Sequence, residues 1–375
     1  MGRISFSRTE RAEVAVLARN LELWPVFREV VSGLSVLELE TIKTPLNTRD
    51  FFRIVRYMVL RRASVGYASM AAQLNRSGVK VLLAVDQTSQ VVEELGRLLP
   101  ELRQVVIAHG SMRIDEFAGL TIRPRPHRIL AVWGEWDAHA YASTQNPPVD
   151  CRILGSLRNA HYLRSHPIDQ KRQTNSSIVF VSQFSGADEE SDTPTSKRNQ
   201  ILQQMKVFVR RYCLERDVEL VVALRPPVSA QHAPRQTERE IAHFQRVFSG
   251  TRLRFSDPQI PHESYLVSDY AEVTIGAPKG TLTESFARGN KVLMFCQHPE
   301  TGDFYGFPIL GPWIVHEPTF EQFAERLDTL RRMPRHEFAE TWRREREYMV
   351  ANAESDEPIK LVRQLLDRAI RGEPL

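Results

Sequence analysis

Cysteine is scarce in this 375-residue chain, which has only Cys151, Cys213 and Cys296, an odd number at wide spacing. That fits neither a disulfide framework nor a Cys-x-x-Cys metal site, and it suits a reducing cytoplasm. Long apolar runs are missing too. No stretch approaches the roughly 18–20 residues that a membrane span needs, and the opening MGRISFSRTERAE is polar where a signal peptide is greasy. A cytoplasmic chain is expected, soluble or peripheral on the inner face of the membrane. Nor does one charge dominate. The 50 Lys+Arg face 46 Asp+Glu, a field too weak to indicate nucleic acid as a partner. Lysine is rare, 8 residues against 42 Arg, which reads as the base composition of a bacterial genome and carries no chemistry.

Several catalytic signatures are also missing. There is no GxGxxG after the first strands, no GxxxxGK[ST], no GxSxG elbow and no HExxH. These absences remove a dinucleotide fingerprint, a P-loop, an α/β-hydrolase nucleophile and a zincin. The 11 histidines are scattered without ligand spacing, and no Asp-x-Asp is present to hold a metal-bound diphosphate. Neither a metal nor a cofactor is expected.

What remains is ordinary globular composition, 42% apolar and 26% charged, at a length that favours more than one domain. Short β-branched runs (Val14–Ala18, Leu34–Leu39, Val79–Val85, Gln104–Ala108, Arg128–Trp133 and Cys151–Leu154) alternate with helical patterns such as Thr48–Leu60, Tyr67–Leu74 and Ser89–Leu99. This is the βα rhythm of a mostly parallel sheet. The polar stretch His161–Ser177 interrupts it and reads as a linker. The alternation then resumes from Ile178–Phe184 to Lys291–Phe295, and amphipathic helices close the chain. The expected fold is α/β, two facing Rossmann-like domains over residues 1–165 and 175–330, with a C-terminal helical tail, 331–375, packing back across both.

The segment Asp269–Phe295, DYAEVTIGAPKGTLTESFARGNKVLMF, carries the most chemistry. A strand ends at Gly276, a short loop follows, and a helix begins whose first free N–H groups suit a phosphate or diphosphate. Lys279 adds charge there, Gly280 allows close approach, and Thr281 and Thr283 add hydroxyls. Glu284 can accept both hydroxyls of a ribose, or it can complete a capping box with Thr281 as N-cap. Both readings stand at this level.

Here the order Asp269, Val273, Gly280-Thr281, Glu284, Gly289 and Lys291-Val292 resembles the donor-binding half of GT-B glycosyltransferases. The run TLTESFARGNKVLMF is similar to bacterial surface-carbohydrate (capsule or O-antigen) transferases. Val105–Gly110, Ile129–Glu135, Cys151–Asn159 and Ile178–Phe184 follow in the order of those proteins, so that the resemblance covers roughly residues 79–315. It implies a GT-B architecture and metal-independent transfer of a sugar from a nucleotide donor to a surface-polysaccharide or lipid-linked glycan.

The remaining candidates sit where strands end, at the edge where open α/β sheets bind ligands. His109, followed by Gly110, can take a proton from an acceptor hydroxyl, and Asp86 competes for that role. Gly110, Glu135, Arg158 and Asn159 lie at ends of the same edge and are candidates for acceptor contact. Arg225 can reach donor phosphates, His262 the nucleotide, and His298 the sugar. Alternatives on the same architecture are a sugar-nucleotide epimerase, a polyol-phosphate transferase and a non-catalytic glycan-assembly subunit.

Overall fold

The computed structural model describes residues 11–17, 24–39, 48–85, 90–108, 110, 127–143, 150–168, 175–184, 197–225, 233–278, 280–296 and 311–374. The first half runs β1 (Val14–Leu17), α1 (Trp24–Val30), β2 (Val36–Glu38), α2 (Thr48–Arg61), α3 (Val65–Ser77), β3 (Val81–Val85), α4 (Gln90–Leu98), β4 (Arg103–Ile107), β5 (Arg128–Val132), α5 (Glu135–Ala142), β6 (Cys151–Ile153) and α6 (Leu157–Ser165). Its six strands pair in parallel in the order β2-β1-β3-β4-β5-β6. The central strands β1, β3 and β5 are buried along their whole length because helices cover both faces, which explains why they read as unbroken apolar runs.

The second half repeats the plan with β7 (Ile178–Val181), α7 (Lys197–Arg216), β8 (Leu220–Ala223), α8 (Ala233–Val247), β9 (Leu253–Phe255), α9 (Glu263–Tyr270), β10 (Val273–Gly276), α10 (Gly280–Ala287), β11 (Val292–Cys296) and β12 (Ile314–His316). These strands form a second parallel sheet, ordered β12-β11-β10-β7-β8-β9. The architecture is the expected pair of facing Rossmann-like domains with a helical tail.

Two local readings are refined. The first residues of the polar stretch His161–Ser177 are not linker but the end of α6, which Ser156 caps by accepting the Asn159 amide at 3.3 Å. Tyr162 and Leu163 on that turn are buried, so its polar appearance reflects only the outward residues. In the tail, the expected helix Arg335–Ala351 is divided at Trp342 into α12 (Arg335–Thr341) and α13 (Arg343–Met349). Trp342 stands edge-on to Trp313 with ring centroids 4.5 Å apart.

The tail ties the halves together. After α11 (Phe320–Arg332), α13 packs against both α5 and α10. The chain then passes over the carboxyl edge of the first sheet, where the Ala351 amide donates to the Trp133 carbonyl at 2.8 Å and Asn352 Nδ2 donates to the Leu154 carbonyl at 3.2 Å. Gly155 makes room for this strap: it has φ +97°, and a Cβ there would lie 2.2 Å from the Ala351 carbonyl. Finally α14 (Glu357–Arg371) buries Ile359, Val362, Leu365, Leu366 and Ala369 against the core of the first domain, beside Val14, Val81 and Val105.

Candidate functional site

In an open parallel sheet the crevice for ligands forms where strand order reverses, because the loops from the two central strands part in opposite directions there. In the second sheet the reversal falls between β7 and β10. The loop after β10, Gly276 to Gly280, therefore stands at the crevice and feeds α10. Gln183, just past β7, holds that loop by donating from Nε2 to the Ala277 carbonyl at 3.0 Å. At Gly276 a Cβ would just touch Val181 and Leu282, each 3.4 Å away. Arg225, exposed at the end of β8, donates to the Phe184 carbonyl at 2.9 Å and shares this edge.

The first domain meets the loop with Trp133, at the end of β5. Its indole N–H donates to the Ala108 carbonyl at 3.2 Å. The far edge of the ring lies 3.9 Å from the Cβ position of Gly110 and 3.4 Å from that of Gly280. Arg158, on the first turn of α6, brings Nη2 to within 3.1 Å of the same point on Gly280. A guanidinium from one domain thus stands at the amino end of a helix in the other. The same Nη2 is ion-paired with Glu284 of that helix at 2.8 Å, which holds the guanidinium beside the helix's amino end, where free N–H groups suit an anion.

Glu284, one turn into α10, is fully buried. Its carboxylate accepts from the Ser156 hydroxyl, from Arg158 Nη2 at 2.8 Å and from the Tyr265 hydroxyl. Two of those donors come from the first domain and one from the second, so the carboxylate joins the domains and aims Arg158. Thr281 lies inside α10 rather than capping it, and Thr283 is buried on the same helix. The side chain of Glu284 thus reaches across the interface, not back to its own helix end. Burial, opposed by Arg158 and reinforced by Glu284, pushes the Tyr265 hydroxyl well above its ordinary pKa and keeps it a donor.

A second buried cluster lies beside the first. Asp269 accepts from Tyr162 at 2.7 Å, Arg288 Nε at 3.0 Å and Asn290 at 2.6 Å. Arg288 also donates to Asn159 Oδ1 at 2.8 Å, while Asn159 Nδ2 donates to the Ala353 carbonyl at 2.8 Å. Asn159 therefore serves the junction of both domains with the tail. Burial would raise the Asp269 carboxyl, but Arg288, Tyr162, Asn290 and Arg335 together hold it below its usual value. His262, with φ +62°, sets its ring 5.2 Å from His161. Burial first, then His161 and Arg158, lower its pKa to about 4.

The structure thus brings together Gly110, Arg158, Gly280 and Glu284, with His262 close by and Arg225 on the same sheet edge. Glu135 stands apart: it is exposed at the start of α5 and lines a groove of about 940 Å³ with Arg344, Tyr348 and Asn352 of the tail. Asp86, His109, Lys279 and His298 lie outside the described residues. The sequence reading missed Trp133, Ser156, Tyr265, Tyr162 and Arg288 as members of the site. Only Ser156 carried a local signal, a serine three residues before Asn159 at a helix start.

No protein-family model matches the sequence, and no curated protein matches it. Solved structures do resemble the fold. A glycosyltransferase from Rickettsia africae superposes with a TM-score of 0.53 at 9% identity, covering 98% of this chain and 100% of that one. A UDP-N-acetylglucosamine 2-epimerase from Rickettsia bellii gives 0.55 at 12% identity, with 97% of each chain covered. Sucrose-phosphate synthase from Thermosynechococcus elongatus gives 0.53 at 13%, covering 97% and 100%. At such identities the likeness is one of fold, the GT-B architecture of twin Rossmann-like domains.

Proposed function

We propose that the protein is a GT-B-type glycosyltransferase that moves a sugar from a nucleotide donor to a surface-polysaccharide or lipid-linked glycan, without a metal. One observation carries this reading: Arg158 of the first domain stands at the amino end of α10, beside Gly280, at the strand-order reversal of the second sheet. A diphosphate seated there receives the free N–H groups of α10, the Arg158 guanidinium and the Lys279 ammonium, with Arg225 on the neighbouring strand end. Those charges stabilise the departing nucleoside diphosphate, a task that a metal performs elsewhere. Glu284, whose oxygens are taken by protein donors, positions Arg158 in this scheme and leaves the ribose to other groups. The acceptor lies on the first domain, where His109 or Asp86 removes its proton.

Nucleotide binding tests this first. CMP, CDP, UDP, GDP and dTDP are added to the purified chain with and without Mg²⁺, and thermal unfolding is followed. A ligand that binds only the native state raises the melting temperature by mass action. One nucleoside diphosphate is expected to do so without metal, and Arg158→Gln is expected to weaken it at least tenfold, a loss of about 1.4 kcal/mol. Because Arg158→Gln strips buried Glu284 of its countercharge, Arg158→Gln/Glu284→Gln, which strands neither charge, is measured beside it and is expected to bind as weakly. No response to any nucleotide, or an unchanged affinity in Arg158→Gln, refutes the site.

The fold shared with the Rickettsia bellii enzyme favours a second reading, a sugar-nucleotide 2-epimerase. Incubation of the responding sugar nucleotide without acceptor, followed by NMR, separates the two. Inversion at C2 supports the epimerase, and an unaltered sugar supports transfer.

A further inference from the structure

Among the described residues, the exposed large apolar side chains are not scattered: of twelve, seven fall between Phe51 and Val65. Phe52 and Val59 are each 69% exposed and Leu60 is 68% exposed. They belong to α2, whose inner face is anchored by buried Ile54 and by Asp50, ion-paired with Arg76. At 100° per residue, Phe51, Val55 and Val59 follow one another at four-residue spacing along a flank turned roughly 60–140° from Ile54, beside Phe52 and Met58, and all five are exposed. The helix thus meets the core through Ile54 and the partly buried Tyr57, and carries a wider apolar stripe on its exposed flank. Scattered exposed apolar residues need no explanation, but a continuous stripe of two phenylalanines and three aliphatic side chains marks an interaction surface.

Charge identifies the partner. Arg53 is half-buried, and Arg56, Arg61 and Arg62 are exposed along the same helix and just beyond it. The one acidic residue of α2, Asp50, is buried in its ion pair. Among the described residues of α2, no exposed acidic side chain offsets these guanidinium groups. A second copy of the chain docked on this face would gather eight cations around one apolar seam, which disfavours self-association. A bilayer with anionic headgroups answers both features: the phenylalanines enter the boundary between headgroups and acyl chains while the arginines meet lipid phosphates.

We infer that α2 lies in the surface of an anionic membrane and holds the protein there. This surface is separate from the nucleotide site and does not depend on its assignment, so the two fail independently. The test is co-sedimentation of the full chain with phosphatidylcholine vesicles, alone or containing roughly a third phosphatidylglycerol. The chain is expected to pellet with the anionic vesicles only and to be released by added salt. Phe52→Ser/Val59→Ser/Leu60→Ser should weaken binding at least tenfold. Arg56→Gln/Arg61→Gln should weaken it about 30-fold, at roughly fivefold per arginine near such a surface. All five side chains are exposed, so near-UV circular dichroism should be unchanged in both variants. Val207→Ser/Ile260→Ser, removing two exposed apolar residues elsewhere, should bind as the parent does. The inference is overturned if the parent chain ignores anionic vesicles, binds both kinds equally, or binds as well after the triple substitution. It is equally overturned if sedimentation reveals a dimer that the triple substitution dissociates, since α2 would then be covered by another copy.

Discussion

Replacing Arg288 with methionine is the sharpest probe of the interface between the domains. The guanidinium is buried, with Nη2 and Nε at 2.9 and 3.0 Å from Asp269 and Nη1 at 2.8 Å from Asn159. It also lies over the rings of Tyr265 and Tyr162, 4.6 and 5.2 Å from their centroids. Methionine fills much of the volume but leaves a buried carboxylate without its countercharge, which costs about 3–5 kcal/mol when one partner is removed. Tyr162 and Asn290 still donate to Asp269, which places the expected loss near the lower end, about 3 kcal/mol. Asp269→Asn alone strands the arginine, and the double variant strands neither charge. It should therefore be less destabilised than the sum of the single variants by about 2 kcal/mol. Urea unfolding followed by tryptophan fluorescence measures all four chains. Because Asp269 has a folded pKa below its ordinary value, its contribution is complete above that ordinary value and disappears as pH falls through the lower one. Arg288→Met should flatten that acid limb. A loss below about 1 kcal/mol, or additive single substitutions, would refute the claim that these two buried charges, both in the second domain, depend on each other beside the interface.

Other expectations follow from the same geometry. His262 binds its proton near pH 4 when folded and near 6.5 when unfolded. It therefore stabilises the fold fully above 6.5 and progressively less as pH falls toward 4, by about 1–2 kcal/mol after allowance for its partial exposure. His262→Asn, which tolerates the left-handed backbone, should remove that slope between pH 7 and 4.5 in equilibrium unfolding. Gly155→Ala drives a methyl into the Ala351 carbonyl at positive φ and should cost about 3 kcal/mol or more. Gly33→Ala, with φ +77° but open space around it, should cost only about 1 kcal/mol, and equal losses in denaturant midpoints would discount the strap. Leu366→Ala should cost about 2–5 kcal/mol in the same assay, since that side chain is fully buried between α14 and the first sheet.

The central strands were legible because they are short apolar runs with helices on both sides, whereas the edge strand β12 was not read; the crevice was legible because Gly276 to Thr281 is a recognisable strand–loop–helix junction. Glu284 shows where local reading ends. Its spacing from Thr281 suited a capping box and its chemistry suited a ribose, yet its partners Ser156 and Arg158 lie 128 and 126 residues away. No periodicity connects such positions; the twist and packing of two sheets do. Gly155 was equally silent. It read as part of a strand-end motif, whereas the backbone that requires it arrives about two hundred residues later as Ala351. Phe51, Phe52 and Val59 carried a helical rhythm, but only the structure shows that they lie on an exposed flank of the helix.

The return of α14 to the first domain also sets an order of events during synthesis. The face that Val14, Val81 and Val105 turn toward Leu366 stays open until the last helix has left the ribosome. Some 190 residues separate the end of α6 from the start of α14, which at about 5–20 residues per second is a wait of about 10–40 s. The half translated first is thus the half completed last. A chain cut short before Glu357 leaves the ribosome with a finished second domain and an unsealed first one, the form that chaperones and proteases recognise.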